Sequence, residues 1–427
     1  MTKLFISRLI IILSFVFILI TFSYSFSQTE SDTASGLTLS ECLSIALQHN
    51  PLVAMVEKHY EAARARVWQA RAFSQPVINY DADFQPEIFN LKKAGEIYFG
   101  LSQSLEFPGK RYLRTKIATH EAEEVRLELE SLKLELAFQV KEAFYRLLLA
   151  QQKLDFDRQN LALAQDFYEK AKVKYENGDI ARVEVLRAHV EVSKASNEVQ
   201  RSQNEVRLRK AALNYLLGRK KNLPLEIQGS LPQKAISFSL DKLKEMAWKF
   251  RPEVKQLELS QQKESLRKKQ SYLSYMPDFE LGLSRHKVVG EGYFWDFTLS
   301  FPIPLFFWQP KKGEIAEAQA NLEAVSKQLQ HLKNAIALEV EEAFINSQVA
   351  RSQIELFQKE ILKEANEVYQ MMIFSFQQGE ISGIELIEAR RTLIEAHKAY
   401  ADALFNYALA LATLEKSVGQ SFEGGNK

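Results

Sequence analysis

Little in this chain would interrupt a helix. Its 427 residues include only 16 glycines and 11 prolines, well under the usual shares of about 7% and 5%. A loop-rich fold is excluded, and long unbroken elements are expected. Cysteine occurs once, at Cys42, so no internal disulfide can form. Lysine and arginine number 55 against 54 aspartates and glutamates, a formal net charge of +1. No field of one sign therefore points to nucleic acid or to an anionic membrane surface. The histidines, His49, His59, His120, His189, His286, His331 and His397, are scattered. None stands three or four residues from another, so no metal-ligand cluster is visible. Met371 and Met372 are neighbours, and neighbours on a helix do not face one another. They read as packing rather than soft-metal ligands. No glycine-rich phosphate loop appears, and nothing argues for catalysis. The expectation is a protein that is not an enzyme, with no cofactor and no metal site.

The one long apolar run is at the start. Lys3 and Arg8 precede Leu9–Phe22, and small and polar residues fill Ser23–Ser27. That is the layout of a cleavable export signal. Its 14 residues fall short of the roughly 20 a spanning helix needs. Cleavage is expected near Ser25 or Ser27, with an uncleaved anchor as the alternative. Removing Lys3 and Arg8 takes the net charge from +1 to −1. Cys42 is too far on to carry a lipid, and Leu39-Ser40-Glu41 before it put a carboxylate where a small residue is needed. It reads as a small buried side chain in a short helix.

The chain repeats itself at a spacing of 201. Leu39, Ala46, Pro51 and Pro76 recur as Leu240, Ala247, Pro252 and Pro277. Gly178, Ile180, Glu184, Ala188 and Gly218 recur as Gly379, Ile381, Glu385, Ala389 and Gly419. One spacing held through turns and helix starts means two copies of one unit. The period is much longer than the roughly 20–50 residues of solenoid repeats, so a duplicated half-domain is the better account. The first copy covers 28–221 after a signal at 1–27, a linker fills 222–239, and the second copy covers 240–419. Residues 420–427 look like a disordered tail.

Within the first copy, short helices are expected at 38–50 and 52–74. The period then switches to two. Ile78, Tyr80, Ala82 and Phe84 alternate with Asn79, Asp81, Asp83 and Gln85. After a loop with Pro86, Asn90, Lys92, Lys93 and Gly95, Ile97, Phe99, Leu101, Leu105 and Phe107 alternate with Gly100, Ser102, Ser104 and Glu106. Two alternating runs around a turn-rich loop make a β-hairpin over 77–107. Pro108-Gly109 then opens a stretch free of proline and glycine from Lys110 to Glu176. As one helix it would reach ~100 Å. Its stripe of Leu129, Leu132, Leu136, Val140, Ala143, Leu147, Ala150 and Leu154, resumed by Leu161, Ala164, Tyr168, Ala171 and Tyr175, is spaced mostly by threes and fours, the coiled-coil pattern. Leu127, Leu134, Phe138 and Phe156 fall off that seam and imply a second contact face, as in a wall of helices. Gly178-Asp179 turns the chain, and 183–217 return. The second copy repeats the order, with a hairpin over 278–303 and a helical hairpin over 314–418.

Strands of about this length can cross the hydrocarbon layer when tilted. One apolar and one polar face is what a barrel with lipid outside and water inside requires. An open sheet edge cannot stand in lipid, and four strands cannot enclose a lumen. The strands must then be pooled, and three chains would supply twelve. The rival arrangement is a water-soluble α+β protein whose hairpins lie on its own helices. Function follows the same fork: a pore, or an exported coiled-coil scaffold or tether without one.

Several segments in order resemble the TolC family of outer-membrane efflux proteins, over essentially all of 38–419. They are Leu37 to Pro51, Leu101 to Gly109, Tyr175-Glu-Asn-Gly-Asp-Ile180 with Glu184 to Ala188, and Phe376-Gln-Gln-Gly-Glu-Ile381 with Glu385 to Ala389. Pro108 to Arg111, Phe301 to Leu305 and Gly313 to Ala316 resemble the heavy-metal cation branch. The resemblance implies a mainly α protein with a membrane β part: a homotrimer with a twelve-stranded β-barrel in the outer membrane, four strands per chain, and a tunnel of long antiparallel helical hairpins through the periplasm. It implies a passive exit duct in a tripartite efflux system, with a periplasmic adaptor and an inner-membrane pump as partners. It also implies that the helical tips close the tunnel and meet the adaptor. Tyr175, Gly178, Val185, Leu186, Phe376, Gly379, Leu386 and Ile387 are the expected gate and docking residues. If the apolar strand faces meet lipid, Asp81, Asp83, Glu106, Glu280 and Asp296 face the lumen and would favour cations.

Overall fold

A computed structural model describes residues 36–84, 94–219, 223–232, 238–303 and 308–422. The expected signal at 1–27, the loop 85–93, part of the linker and the tail beyond 422 lie outside the described residues. In chain order the elements are α1 (Leu39–His49), α2 (Pro51–Arg71), β1 (Val77–Asp83), β2 (Glu96–Leu105), α3 (Lys110–Glu176) and α4 (Arg182–Leu216). The second copy supplies α5 (Leu240–Phe250), α6 (Pro252–Leu273), β3 (Phe279–Val288), β4 (Gly292–Ser300), α7 (Trp308–Leu356), α8 (Leu362–Gln378) and α9 (Gly383–Val418).

Local chemistry explains the boundaries. Thr38 and Glu41 form a reciprocal capping box at the start of α1, with Thr38 N donating to Glu41 at 2.8 Å. Asn50 accepts from Leu52 N at 2.9 Å, which caps α2 behind its first-turn proline. Its amide also donates to Leu216 O at 2.8 Å and ties the end of α4 to the start of α2. A single π-turn, Phe357–Ile361, separates α7 from α8. Beside it, Gln358 donates to the Tyr400 hydroxyl at 2.6 Å.

The helices form a wall one layer thick. Toward the sheet, α2 and α6 pack on α3, and α6 also packs on α7. Toward the far end, α4 and α9 pack on α3, and α9 also packs on α7 and α8. Toward either end the wall is four helices wide, α1 and α5 pack on α3 and α7 between those ends, and α3 lies between neighbours on both sides. That placement accounts for its apolar residues off the main seam. Leu136, Val140, Leu147, Ala164 and Ala171 of the seam are buried, and so are Leu127, Phe144, Tyr145 and Phe167 beside it.

The main core lies where the copies meet at mid-length. Cys42 and Ala46 of α1, Val140, Phe144 and Leu147 of α3, Leu213 of α4, Leu225 of the linker and Tyr407 and Ala408 of α9 form one cluster. Burial pushes the Cys42 thiol up to about 11. A second cluster joins Leu243, Ala247 and Val254 to Ile336 and Val340 of α7 and Leu414 and Val418 of α9. Several polar ties cross between the copies, Lys263 with Glu124 and Lys416 with Glu135 among them. Lys141 of α3 pairs with Glu415 of α9, both largely buried. Asp157 of α3, also buried, holds Lys398 of α9 and Ser202 of α4. Buried charges persist only when so partnered.

The four strands make one antiparallel sheet in the order β1-β2-β3-β4. The two hairpins join through β2 and β3, with Gly100 opposite Ser284 and Leu101 opposite Leu283. Neither β1 nor β4 has a partner on its outer side among the described residues.

The copies match in backbone strain. Gly178, Gly218, Gly379 and Gly419 all have positive φ, from 68° to 85°. Their surroundings differ. A Cβ on Gly218 would lie 2.4 Å from His49 O, whereas one on Gly178 would meet nothing within 4 Å. Gly178→Ala should cost only the left-handed backbone term of ~1–2 kcal/mol. Gly218→Ala adds a clash with fixed backbone and should cost at least twice as much. Urea unfolding of both variants checks this; equal losses would contradict the close approach.

Candidate functional site

Two regions collect the residues that could act: the helical tips and the polar face of the sheet. At the tips the copies close their turns alike. Gly178 N donates to Tyr175 O at 3.0 Å and Asp179 N to Lys174 O at 2.8 Å. Gly379 N donates to Phe376 O at 3.2 Å and Glu380 N to Ser375 O at 3.0 Å. Each is a glycine-ended helix whose last carbonyls are satisfied by the turn.

The expected tip residues divide into two groups. Phe376, Leu386 and Ile387 join Phe167, Tyr168, Ala171, Ile180 and Ala188 in a cluster between the copies. The Phe376 ring lies 5.5 Å from that of Phe167, and Lys174 Nζ sits 4.7 Å from its centroid. Tyr175, Gly178, Leu186 and Gly379 remain exposed, and Val185 is half-buried. Leu186 and Ile387 occupy equivalent positions, yet Leu186 is 55% exposed and Ile387 only 8%. The reason is position in the wall: α9 lies between α3 on one side and α7 and α8 on the other, whereas α4 packs on α3 alone.

An apolar groove of about 530 Å³ opens beside this cluster, lined by Phe167, Val173, Tyr369, Ile373, Phe376 and Arg390 among others. Arg390 is 5% exposed. Its Nε has no hydrogen-bond partner among the described residues, and its nearest carboxylate, on Glu191, is 3.7 Å away. Burial pushes the guanidinium below its ordinary pKa, and the Glu191 charge opposes the shift. Reading by residue type did not find Arg390. Its spacing does reveal it, since it falls between Ile387 and Leu393 on the buried side of α9.

On the sheet, register sorts the side chains into two faces. Asn79, Asp81 and Asp83 of β1 share a face with Glu96, Tyr98 and Ser102 of β2, Glu280, Ser284 and His286 of β3, and Asp296, Thr298 and Ser300 of β4. Asp81, Asp83, Glu280 and Asp296 are thus brought together on one polar face. Glu106 is not: β2 ends at Leu105, and Glu106 pairs with Arg114 of α3. The Pro108-Gly109 turn ends the strand before the alternation does. Glu96 was missed, because it stands at the loop margin, yet it closes the register opposite Asp83. Near the hairpin turns, Tyr98 donates to Glu96 at 2.7 Å and stacks on His286 at 4.9 Å. His286 Nδ1 in turn contacts Asp296. The opposite face carries Ile78 and Tyr80, Phe99 and Leu101, Leu281 and Leu283, and Trp295, Phe297 and Leu299.

Comparison with known proteins gives one family and one fold. The family model described as outer membrane efflux protein matches residues 42–219 and 245–420. The cobalt-zinc-cadmium resistance protein CzcC of Cupriavidus metallidurans is 21% identical over 396 residues, 91% of each chain. The CusC channel structure superposes with a TM-score of 0.77 at 17% identity, covering 93% of this chain and 96% of that one. The outer membrane protein VceC of Vibrio cholerae gives 0.74 at 15%, covering 90% and 96%.

Phe376→Ala removes the ring that joins α8 to α3 at the tip. A half-buried aromatic should cost less than the ~3–5 kcal/mol of a fully buried one. Amide exchange should quicken over 167–188 and 373–390 while the strands are unchanged; unaltered exchange at the tip would contradict the packing role.

Proposed function

The chain belongs to the outer membrane efflux protein family, and from that premise we propose that three copies join edge to edge into one continuous duct. It is the outer-membrane channel of a tripartite efflux system. The observation that carries the trimer is the sheet: four strands, an apolar face, a polar face and two open edges. Unpaired strand edges cost several kcal/mol per group in hydrocarbon. Four strands are too few to close, and twelve suffice.

The helical wall supports the same closure. Its edge helices carry apolar residues that nothing in the chain covers. On α7 these are Leu338, Ile345, Val349 and Leu356, spaced 7, 4 and 7 apart; on α4 they are Val183 and Val190, 7 apart. Such spacing is that of a coiled-coil seam awaiting a partner helix. The α4 edge of one protomer would meet the α7–α8 edge of the next. Sheet and wall have the same handed order, so one rotation closes both.

In this reading the polar sheet face lines the lumen and the helical tips form the periplasmic gate. Tyr175, Gly178, Leu186 and Gly379 are exposed and would meet the adaptor. Phe376, Leu386 and Ile387 would set how the two copies lean at the gate. An inner-membrane pump would supply the energy. Metal cations are the favoured cargo, supported by the relationship to a cobalt-zinc-cadmium resistance protein. The five carboxylates Asp81, Asp83, Glu96, Glu280 and Asp296 on a face without lysine or arginine support it too.

Purified in detergent, the protein should run as an SDS-resistant, heat-modifiable trimer and conduct in a planar bilayer; a non-conducting monomer would end the proposal. The pore should prefer cations, and changing Asp81, Asp83, Glu96 and Asp296 to Asn or Gln should move the reversal potential in a salt gradient toward zero. An unmoved potential would take these residues out of the lumen. A Cβ at Gly379 meets nothing within 4 Å, so Gly379→Trp should fold and form trimers yet lose export. Wild-type resistance in that variant would remove the tip from docking.

A further inference from the structure

The apolar face of the sheet holds two cations. Arg285 and Lys287 stand at odd positions of β3, in register with Leu281 and Leu283 rather than with Glu280, Ser284 and His286. They are on the face that meets lipid and cannot reach the lumen. Both are exposed, and neither has an ion pair among the described residues. They are confined to one level. Across the sheet Arg285 lies in a row with Tyr80, Phe99 and Trp295, and Lys287 in the next row with Ala82, Ile97 and Tyr293. Below them are only apolar side chains on β3, namely Leu283, Leu281 and Phe279.

Six residues separate Phe279 from Arg285, about 20 Å along a strand. At the usual tilt that is a rise of roughly 15 Å in an apolar band about 25 Å tall, so the cations stand toward its boundary at the hairpin-turn end. The aromatic residues at the same level mark it as the interface, where Trp and Tyr concentrate. The helices enter and leave at the Phe279 end and the hairpin turns at the Arg285 end, so this boundary is the outer one. The two cations are also held in place. Arg285 lies 4.3 Å from the Tyr293 ring centroid and 5.8 Å from that of Trp295, and Lys287 lies 5.9 Å from Tyr293. A cation over an aromatic face is oriented, and its N–H groups remain free to donate.

We propose that Arg285 and Lys287, framed by Tyr293 and Trp295, form a docking site for the phosphate groups of a phosphorylated glycolipid in the outer leaflet. This rests on the barrel reading above. Charge complementarity selects the occupant: two unpaired cations at a lipid-facing interface fit an anionic headgroup, and guanidinium–phosphate pairing is the stronger, forked kind. Acyl chains of the same lipid would lie along Phe297, Leu283 and Leu299 on the face below.

The test uses the full-length trimer in nanodiscs containing bisphosphorylated lipid A, dephosphorylated lipid A, or neither, with inorganic phosphate added to the last. Lipid retained per trimer is read by native mass spectrometry, and conductance is recorded from the same preparations. The wild type should retain the bisphosphorylated lipid preferentially. Arg285→Gln/Lys287→Gln should retain it about 30-fold less, from ~1 kcal/mol per basic residue, with conductance unchanged. Inorganic phosphate should not change the trimer's melting temperature. A conducting wild type that does not distinguish the two lipids, or a double variant that retains lipid as well as the wild type, overturns this site alone. Equal stabilisation by inorganic phosphate overturns the lipid as its source. A wild type that does not conduct overturns the barrel, and this site with it.

Discussion

An unpaired strand edge is tolerable in water and not in hydrocarbon, and the rest of this architecture answers that constraint. Each chain brings a sheet with β1 and β4 open on the outside, so the protomer is an unfinished object in a bilayer. The helices repeat the incompleteness. They form a single layer, with exposed apolar seams on α4 and α7 at its two margins. Sheet and wall run in the same order because each strand is chained to one helix: β1 follows α2, β2 precedes α3, β3 follows α6 and β4 precedes α7. Closing one closes the other.

Duplication supplies the material cheaply but does not make the copies equivalent. Turn glycines and capping prolines recur at one spacing, the glycines with matching backbone angles. Environment then separates equivalent residues. Ile387 is buried against α3 while its counterpart Leu186 is exposed, because one helix is interior to the wall and the other marginal. Ties between copies such as Lys141 with Glu415 and Asp157 with Lys398 have no repeat-symmetric requirement either. They join the second copy to the first, and the cluster around Phe167 and Phe376 joins the copies again at the helical tips. Across the sheet, register sorts charge, with the carboxylates on one face and Arg285 and Lys287 on the other.

Much of this was legible in the residues. The proline- and glycine-free stretch from Lys110 to Glu176 is one helix of 67 residues, since nothing in it breaks the backbone pattern. Strand alternation named the polar face, and Asp81, Asp83, Glu280 and Asp296 occupy it. Glu106 lies one residue past the end of its strand and pairs with Arg114, because period-two alternation continues for two residues beyond the last ladder pair. Glu96 was overlooked because a strand's first residue carries no alternation before it. Arg390 was hidden by its type: a charged residue on a helix reads as surface until its neighbours bury it.

The order and kind of the elements were determined by the sequence alone, because helix, strand and turn follow from local periodicity and from where proline and glycine stand. Which residues of equivalent helices are buried, which strand of one copy pairs with the other, and where Arg390 finds itself were decided only by tertiary structure. Those depend on contacts between residues more than a hundred positions apart, and no local pattern records a neighbour at that distance.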